Sequence, residues 1–293
     1  MIVAVRHSIE RGAGIALLVE GRYLAQRQPS GLAAELRRRG CAITVVDADS
    51  TAISLSDRSW LDGIVICVAR GRSDAVLSRL LAAERHGLPT INRASAVAAV
   101  VDKAGMAVAL EGAGIPTPPT MLGSPDQLAA HLSSHLYPVI VKPIRGDNCR
   151  GLAVCESADA VGRLAPAAEP LLAQPFLRGD GSDLKLYGIG EMVWAVRKPS
   201  PLGLPWATPG GPADATPVEL TEQLHELALR CGDLFGLELF GVDCLVTPAG
   251  PVVIEVNEFP NYTGVPNADA ALADHVLAAA GEAPRPLELE LAP

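Results

Sequence analysis

No Cys-x-x-Cys spacing occurs anywhere in the 293 residues, although the chain has six cysteines. Cys41, Cys67, Cys149, Cys155, Cys231 and Cys244 lie mostly in apolar segments and read as free buried thiols, with neither zinc nor disulfides expected. No basic run exceeds three residues and the formal charge is -9, which argues against nucleic acid as the main partner. No apolar stretch approaches a membrane span, so no membrane partner is expected. Arg6 and His7 interrupt MIVAVRHSIERG and deny it the apolar centre of a leader, leaving a soluble cytoplasmic protein as the expectation. There is no internal repeat, and no Ser/His/Asp or Cys/His arrangement suits a nucleophilic mechanism. What is present is 49% hydrophobic and 19% charged residues, in a chain long enough for two or three domains.

Apolar strands at 2–6, 42–47 and 62–69 alternate with helical stretches such as LAAELRRRG and AVLSRLLAAERHG, the pattern of a parallel α/β domain over residues 1–92. A second unit covers residues 93–177; within it Ser124 caps a helix whose first position is Pro125. The third unit is 178–293. There TPVELTEQLHELALRCGDLFG carries a capping box at Thr216, Pro217 and Glu219, followed by a stripe of Leu220, Leu224, Leu227 and Cys231. The Pro/Gly-rich segment 198–217, with Trp206 inside it, is too breaker-rich for an ordinary connector and reads as a lid or substrate loop.

Three oxygen ligands stand near the C-terminus: Asp243 in FGVDCLV, then Glu255 and Asn257 in VVIEVNEFP. If TPAGP is the loop of a hairpin, Val246 pairs with Val252 and Asp243 falls opposite Glu255. Strand alternation puts Asn257 on the Glu255 face. Two carboxylates and an amide oxygen are hard donors suited to Mg²⁺, although an edge hairpin with one solvated polar face has the same spacing. Upstream, Lys142 ends the apolar run YPVIVKP, where a buried cation is costly without an anion. Lys103 opens a helix for which Asp102 is the expected N-cap, and Asp183 and Lys185 share one face of a strand after QPFLRGDGS. Lysines on one side and carboxylates on the other suggest a nucleoside triphosphate held between cations and metal.

In this order, the Asp102-Lys103 helix with GIPTP, the strand ending Lys142-Pro143, the stretch Gln174-Pro175-Phe176-Leu177, Asp183-x-Lys185 and Asp243…Glu255-x-Asn257 before Phe259-Pro260 resemble the ATP-grasp superfamily over nearly the whole chain. The resemblance implies a fold in which an N-terminal parallel α/β domain precedes two α+β subdomains that sandwich ATP. It further implies that Lys103 and Lys142 contact ATP phosphates and that Gln174, Pro175, Phe176 and Leu177 line the adenine pocket. Asp183 would belong to the nucleotide site, and Asp243, Glu255 and Asn257 would hold two Mg²⁺, with Mn²⁺ able to substitute. Lys185 would be catalytic, as would Arg197, placed to stabilise the transferred phosphoryl group. The loop after Lys142 keeps Gly146 and Gly151 but has Arg145, Asp147, Asn148 and Arg150 where the family has small residues, so its arginines either reach phosphate or form a solvated tip.

By resemblance the nearest group is the peptide-forming carboxylate-amine ligases of the ribosomal-protein glutamate ligase type. The expected activity is therefore an ATP- and Mg²⁺-dependent ligase that makes an amide through an acyl phosphate and releases ADP and phosphate. NEFPNYTGVP departs from that group's Asn-Ser-Ser-Pro-Gly, and with DLKLYGIGEMVWAVRKPS it is similar also to inositol polyphosphate kinases. A kinase acting on a polyol or sugar phosphate is the alternative, and a non-catalytic nucleotide-binding module is a third. Arg6, His7, Arg70, Arg72, Arg197 and Lys198 sit at strand ends; any one of them alone reads as a solvated loop residue, and together they point to an anionic small-molecule or peptide acceptor. A homodimer is the default assembly.

Overall fold

A computed structural model describes residues 14–146, 150–177, 182–200 and 215–282, and three sheets follow one another along them. GIALLV forms β1 (Gly14–Val19), buried at every position, as a strand covered on both faces must be. It is followed by α1 (Arg27–Arg38), β2 (Ala42–Asp47), β3 (Ile64–Arg70), α2 (Asp74–Arg85) and β4 (Thr90–Ile91). The pairing is parallel, in the order β2-β1-β3-β4. Residues 2–6, expected as a strand, lie outside the described residues. The expected pattern also passed over β1, whose glycine and small residues flank it without a turn signal.

Next come α3 (Ala94–Val101) and α4 (Lys103–Gly112). Asp102 caps α4, accepting hydrogen bonds from the backbone N–H groups of Ala104 and Gly105 at 2.8 and 3.1 Å. The second sheet contains β5 (Met121–Gly123), β6 (Val139–Pro143), β7 (Ala153–Cys155) and β8 (Leu171–Pro175), all antiparallel in the order β5-β8-β6-β7. One face is closed by α5 (Pro125–His131) and α6 (Ala158–Gly162), with Leu128, Val139, Val141, Val161 and Ala173 in a common core. Ser124 and Gln127 form a reciprocal capping box on α5, with Pro125 at its start.

The third sheet runs β11-β10-β9-β12-β13: β9 (Ser182–Ile189), β10 (Met192–Pro199), β11 (Thr216–Val218), β12 (Leu239–Thr247) and β13 (Gly250–Glu258). Its outer face is packed by α7 (Glu222–Phe235) and by α3 and α4, which supply Val100, Met106 and Leu110 to a core with Leu186, Val242 and Val256. Helix α7 is capped by Thr221, not by Thr216 as the sequence suggested. Thr216–Val218 instead pairs with β10 as an edge strand, where Pro217 can do without a donor on its open side. The stripe survives the shift, with Leu227 and Cys231 buried and Leu220 and Leu224 packed beside them.

Finally α8 (Ala268–Glu282) returns to the first sheet, and Leu272 and Val276 share a core with Leu17, Ile189, Leu239 and Tyr262. Buried Asn92 fastens this joint: it donates to the Leu239 carbonyl at 2.8 Å and accepts from the N–H groups of Glu238 and Leu239. The C-terminal edge of the first sheet is thereby held beside the end of β13. Among the described residues no helix is long and apolar enough to cross a membrane.

Candidate active site

The inner faces of the second and third sheets enclose a cavity of about 720 Å³. Alternation decides what each wall presents. On β6 and β8, Val139, Val141 and Ala173 point into the core under α5, so Ile140, Lys142 and Gln174 point into the cavity. On β9 and β12, Leu184, Leu186, Val242 and Cys244 are core residues, so Asp183, Lys185, Tyr187 and Asp243 face it. Pro175, Phe176 and Leu177 complete one end of the second-sheet wall, and Gln174 is fixed by a 2.8 Å hydrogen bond to the Thr120 hydroxyl.

Asp243 lies directly opposite Glu255 across β12 and β13, as the sequence implied, but the register that puts it there is different. Val246 pairs with Pro251 and Val252 with Leu245, so the loop is tighter than TPAGP, and a bulge between Asp243 and Cys244 then shifts the pairing by one residue. The shorter loop and the bulge cancel at the carboxylates. Asn257 follows on the same face, its amide 3.4 Å from Asp243 Oδ2.

Each of these donors meets a cation. Lys185 Nζ is 2.8 Å from Asp243 and 3.8 Å from Asp183, and Lys103 Nζ is 2.7 Å from both Glu255 and the Gly146 carbonyl. Arg72, from the loop after β3, donates to Asn257 Oδ1 at 2.9 Å, lies 2.9 Å from Glu258 and 3.8 Å from Glu255. Burial opposes the Lys185 charge, but Asp243 and Asp183 outweigh it and hold the ammonium protonated, its pKa above the usual lysine value. Burial raises the pKa of Asp243; Lys185 pulls against this and Glu255 adds to it. Burial also raises Asp183 and lowers Lys198. Among the described residues no three His, Cys, Asp or Glu side chains are grouped to hold a metal. The set that fits a divalent ion is Asp243, Glu255 and the Asn257 amide oxygen, hard donors on one face whose two like charges a cation would relieve.

Of the residues expected to hold nucleotide or metal or to be catalytic, all line the cavity except Arg197. Arg197 pairs with Leu184, a core-face residue, so it points away from the cleft and is exposed; Lys198, paired with Asp183, is the residue that turns inward. Parity along β10 makes the difference, because a one-residue shift reverses the face. Of the flap arginines, Arg150 lines the cavity and Arg145 does not, while Asp147 and Asn148 lie outside the described residues. Arg6, His7 and most of the expected lid, including Trp206, are also outside them. Arg70 and Arg72 do reach the site. Glu258, Tyr23, Gln26 and Asn261 were missed: Glu258 reads as part of an apolar strand end, and the others carry no local pattern that marks them.

The RimK-like ATP-grasp domain family matches residues 100–279. A probable alpha-L-glutamate ligase of Thioalkalivibrio sulfidiphilus is 30% identical over 193 residues, which are 63% of this chain and 64% of that protein. The match therefore spans less than two thirds of that relative's length. Among solved structures, the RimK domain ATP-grasp protein of Sphaerobacter thermophilus superposes with a TM-score of 0.67 at 23% identity, over 89% of this chain and 99% of its own. The ATP-grasp ligase PsnB, solved with the precursor peptide PsnA2 and AMPPNP, gives 0.68 at 20% identity, over 94% and 99%. These structures share the fold of the chain.

Proposed function

We propose, from the premise that the chain belongs to the RimK-like ATP-grasp family, that it is an ATP-dependent carboxylate-amine ligase. The observation that carries this is the cleft itself, in which buried Lys103 and Lys142 lie across from Asp243, Glu255 and Asn257. A triphosphate needs that pairing of cations with hard oxygen donors, since phosphoryl transfer depends mainly on positioning and charge neutralisation. The relatives named as glutamate ligases, and the peptide bound to PsnB, favour an amino acid and an anionic peptide or small molecule as the substrates.

In this reading Gln174, Pro175, Phe176 and Leu177 take the base, while Lys103 and Lys142 take the phosphates. Asp243, Glu255 and Asn257 would hold Mg²⁺, or Mn²⁺ in its place, and the bound ion supplies neutralisation of phosphate charge. Lys185 keeps Asp243 oriented and offsets its charge, and Asp183 does the same for Lys185 and Lys198. A substrate carboxylate oxygen attacks the γ-phosphorus and ADP leaves with the electron pair of the broken bond. The amine of the second substrate then attacks the acyl carbon, loses a proton, and inorganic phosphate departs as the amide forms. Arg72, touching Asn257 and Glu258, takes the position beside the reacting phosphoryl group that Arg197 cannot reach.

Incubation with ATP, Mg²⁺ and pooled carboxylates, amines and inositol phosphates, with products weighed by mass spectrometry, tests this. A condensed product with free phosphate supports the ligase. A product heavier by one phosphoryl group, with no free phosphate, would make the chain a kinase.

A further inference from the structure

Beyond the ATP cleft, the same cavity continues to the C-terminal edge of the first sheet, where Arg70 ends β3. Arg70 is only 6% exposed, and burial lowers the pKa of its guanidinium. Its charge lies over the Tyr23 ring, 3.9 Å from the centroid, with Phe259 at 6.0 Å. Such contacts compensate a buried cation only in part. Among the described residues Nε has no hydrogen-bond partner, and Nη2 reaches only Gln26 Oε1 at a long 3.4 Å, an oxygen that already accepts from Asn261 at 2.7 Å. The nearby carboxylates are engaged elsewhere: Glu20 holds Arg22 and the backbone of Arg72 and Ser73, and Glu258 holds Arg72. Arg22 pairs with Glu20 and Arg72 with Glu258, with Glu255 3.8 Å away, whereas Arg70 makes no ion pair among the described residues and is walled by an aromatic ring and two amides.

We propose that Arg70 is a specificity residue that binds the unreacted carboxylate of an amino-acid substrate, an inference that rests on the ligase reading and names one substrate's chemistry. A carboxylate is the group that a free guanidinium edge takes in two parallel hydrogen bonds. The position is right for it. Arg72, two residues on, contacts Asn257, and two residues of chain span at most about 7 Å. A carboxylate on Arg70 therefore leaves the reacting group of the same amino acid beside Asn257 and Glu255. Tyr23, Gln26 and Asn261 shape the pocket around it, and Asn261 is itself fixed by accepting from the Gln28 N–H.

The test measures binding by calorimetry in the presence of Mg²⁺ and a non-hydrolysable ATP analogue, using each L-amino acid and the corresponding α-carboxamide. At least one amino acid is expected to bind about 10- to 100-fold more tightly than its amide, the scale of losing hydrogen bonds to a charged group. Arg70→Gln should erase that preference while leaving analogue affinity unchanged. Arg70→Lys, which keeps the charge but not the fork, should show an intermediate preference and serves if the glutamine variant does not fold. Absence of any preference in the wild-type protein, or its persistence in the variants, overturns the assignment. Binding is measured without turnover, so a protein that discriminates the pairs yet condenses nothing upholds Arg70 and defeats the ligase reading instead.

Discussion

Glu255 occupies the point where the cleft's charges meet, in contact with Lys103 at 2.7 Å and within 3.8 Å of Arg72. Glu255→Gln keeps the shape and removes the charge, so turnover should fall by about two to three orders of magnitude, the scale of losing one preorganised electrostatic group. Melting should be little changed; activity close to wild type in Mg²⁺ would remove Glu255 from the proposed metal ligands. At this scale much of the cleft's lining was legible in sequence. Lys103, Lys142, Asp183, Lys185, Asp243, Glu255 and Asn257 are charged or polar residues set into apolar strands or capped helix starts, and such placements are costly enough to be informative. Arg197 misled because residue type alone does not give strand parity, and its neighbour Lys198 carries the same charge. The place of Arg72 in the cleft was visible only as a strand-end position, since its partners lie 185 and 186 residues away.

Among the elements, the β12–β13 hairpin shows how a correct pairing can follow from an incorrect loop. The tight turn at Thr247–Gly250 and the bulge beyond Asp243 are each one-residue effects of opposite sense, and neither leaves a mark in apolar periodicity. The start of α7 was misplaced because two Thr residues stand five positions apart, and Thr216, with Glu219 three residues on, has the capping-box spacing although it lies in β11 and Thr221 supplies the cap. Strand β9 passes so close to α7 that the Phe240 ring fills the space a side chain at Gly188 or Gly232 would need. Gly188→Ala should therefore cost about 1–3 kcal/mol by overpacking, measured by denaturant titration, with nucleotide affinity retained at temperatures where the variant is folded. Helix α1 offers a pH test. Hydrogen bonds from Arg38 and then Arg39 hold Glu35 at about 2, below its ordinary 4.5, and Arg39 reaches on to Asp274 and the Ala270 carbonyl of α8. A depressed carboxylate pKa contributes stability above the unfolded value, and that contribution is lost as pH falls through the folded one. Glu35→Gln should melt slightly below wild type at neutral pH, and the two melting curves should converge between pH 4.5 and about 2.

Over the whole molecule, the second and third sheets turn their polar inner faces, and the first sheet its C-terminal edge, to a common cavity. The joint made by Asn92, Tyr262 and α8 brings the first sheet's arginines to the third sheet's carboxylates, a meeting of residues far apart in sequence that no local pattern encodes. The parallel α/β character of the first sheet was legible from its alternation of strands and helices, and the β12–β13 hairpin from its turn; the α+β character of the other two units came only from the resemblance, and the mutual placement of the three sheets was not legible. Because the cleft joins two sheets, ATP with Mg²⁺ should stabilise the entire fold, by about 2.7 kcal/mol at 100 times its Kd, and ATP with chelator far less. Equal stabilisation with and without the ion would separate nucleotide binding from Asp243, Glu255 and Asn257. The most direct test of the ligase chemistry follows the oxygen atoms. Carboxylate substrates labelled with oxygen-18 are supplied with unlabelled ATP, Mg²⁺ and amines, and the released inorganic phosphate is weighed. Transfer through an acyl phosphate leaves one heavy oxygen in that phosphate. Phosphate released without label, or product formed with no free phosphate at all, would contradict it.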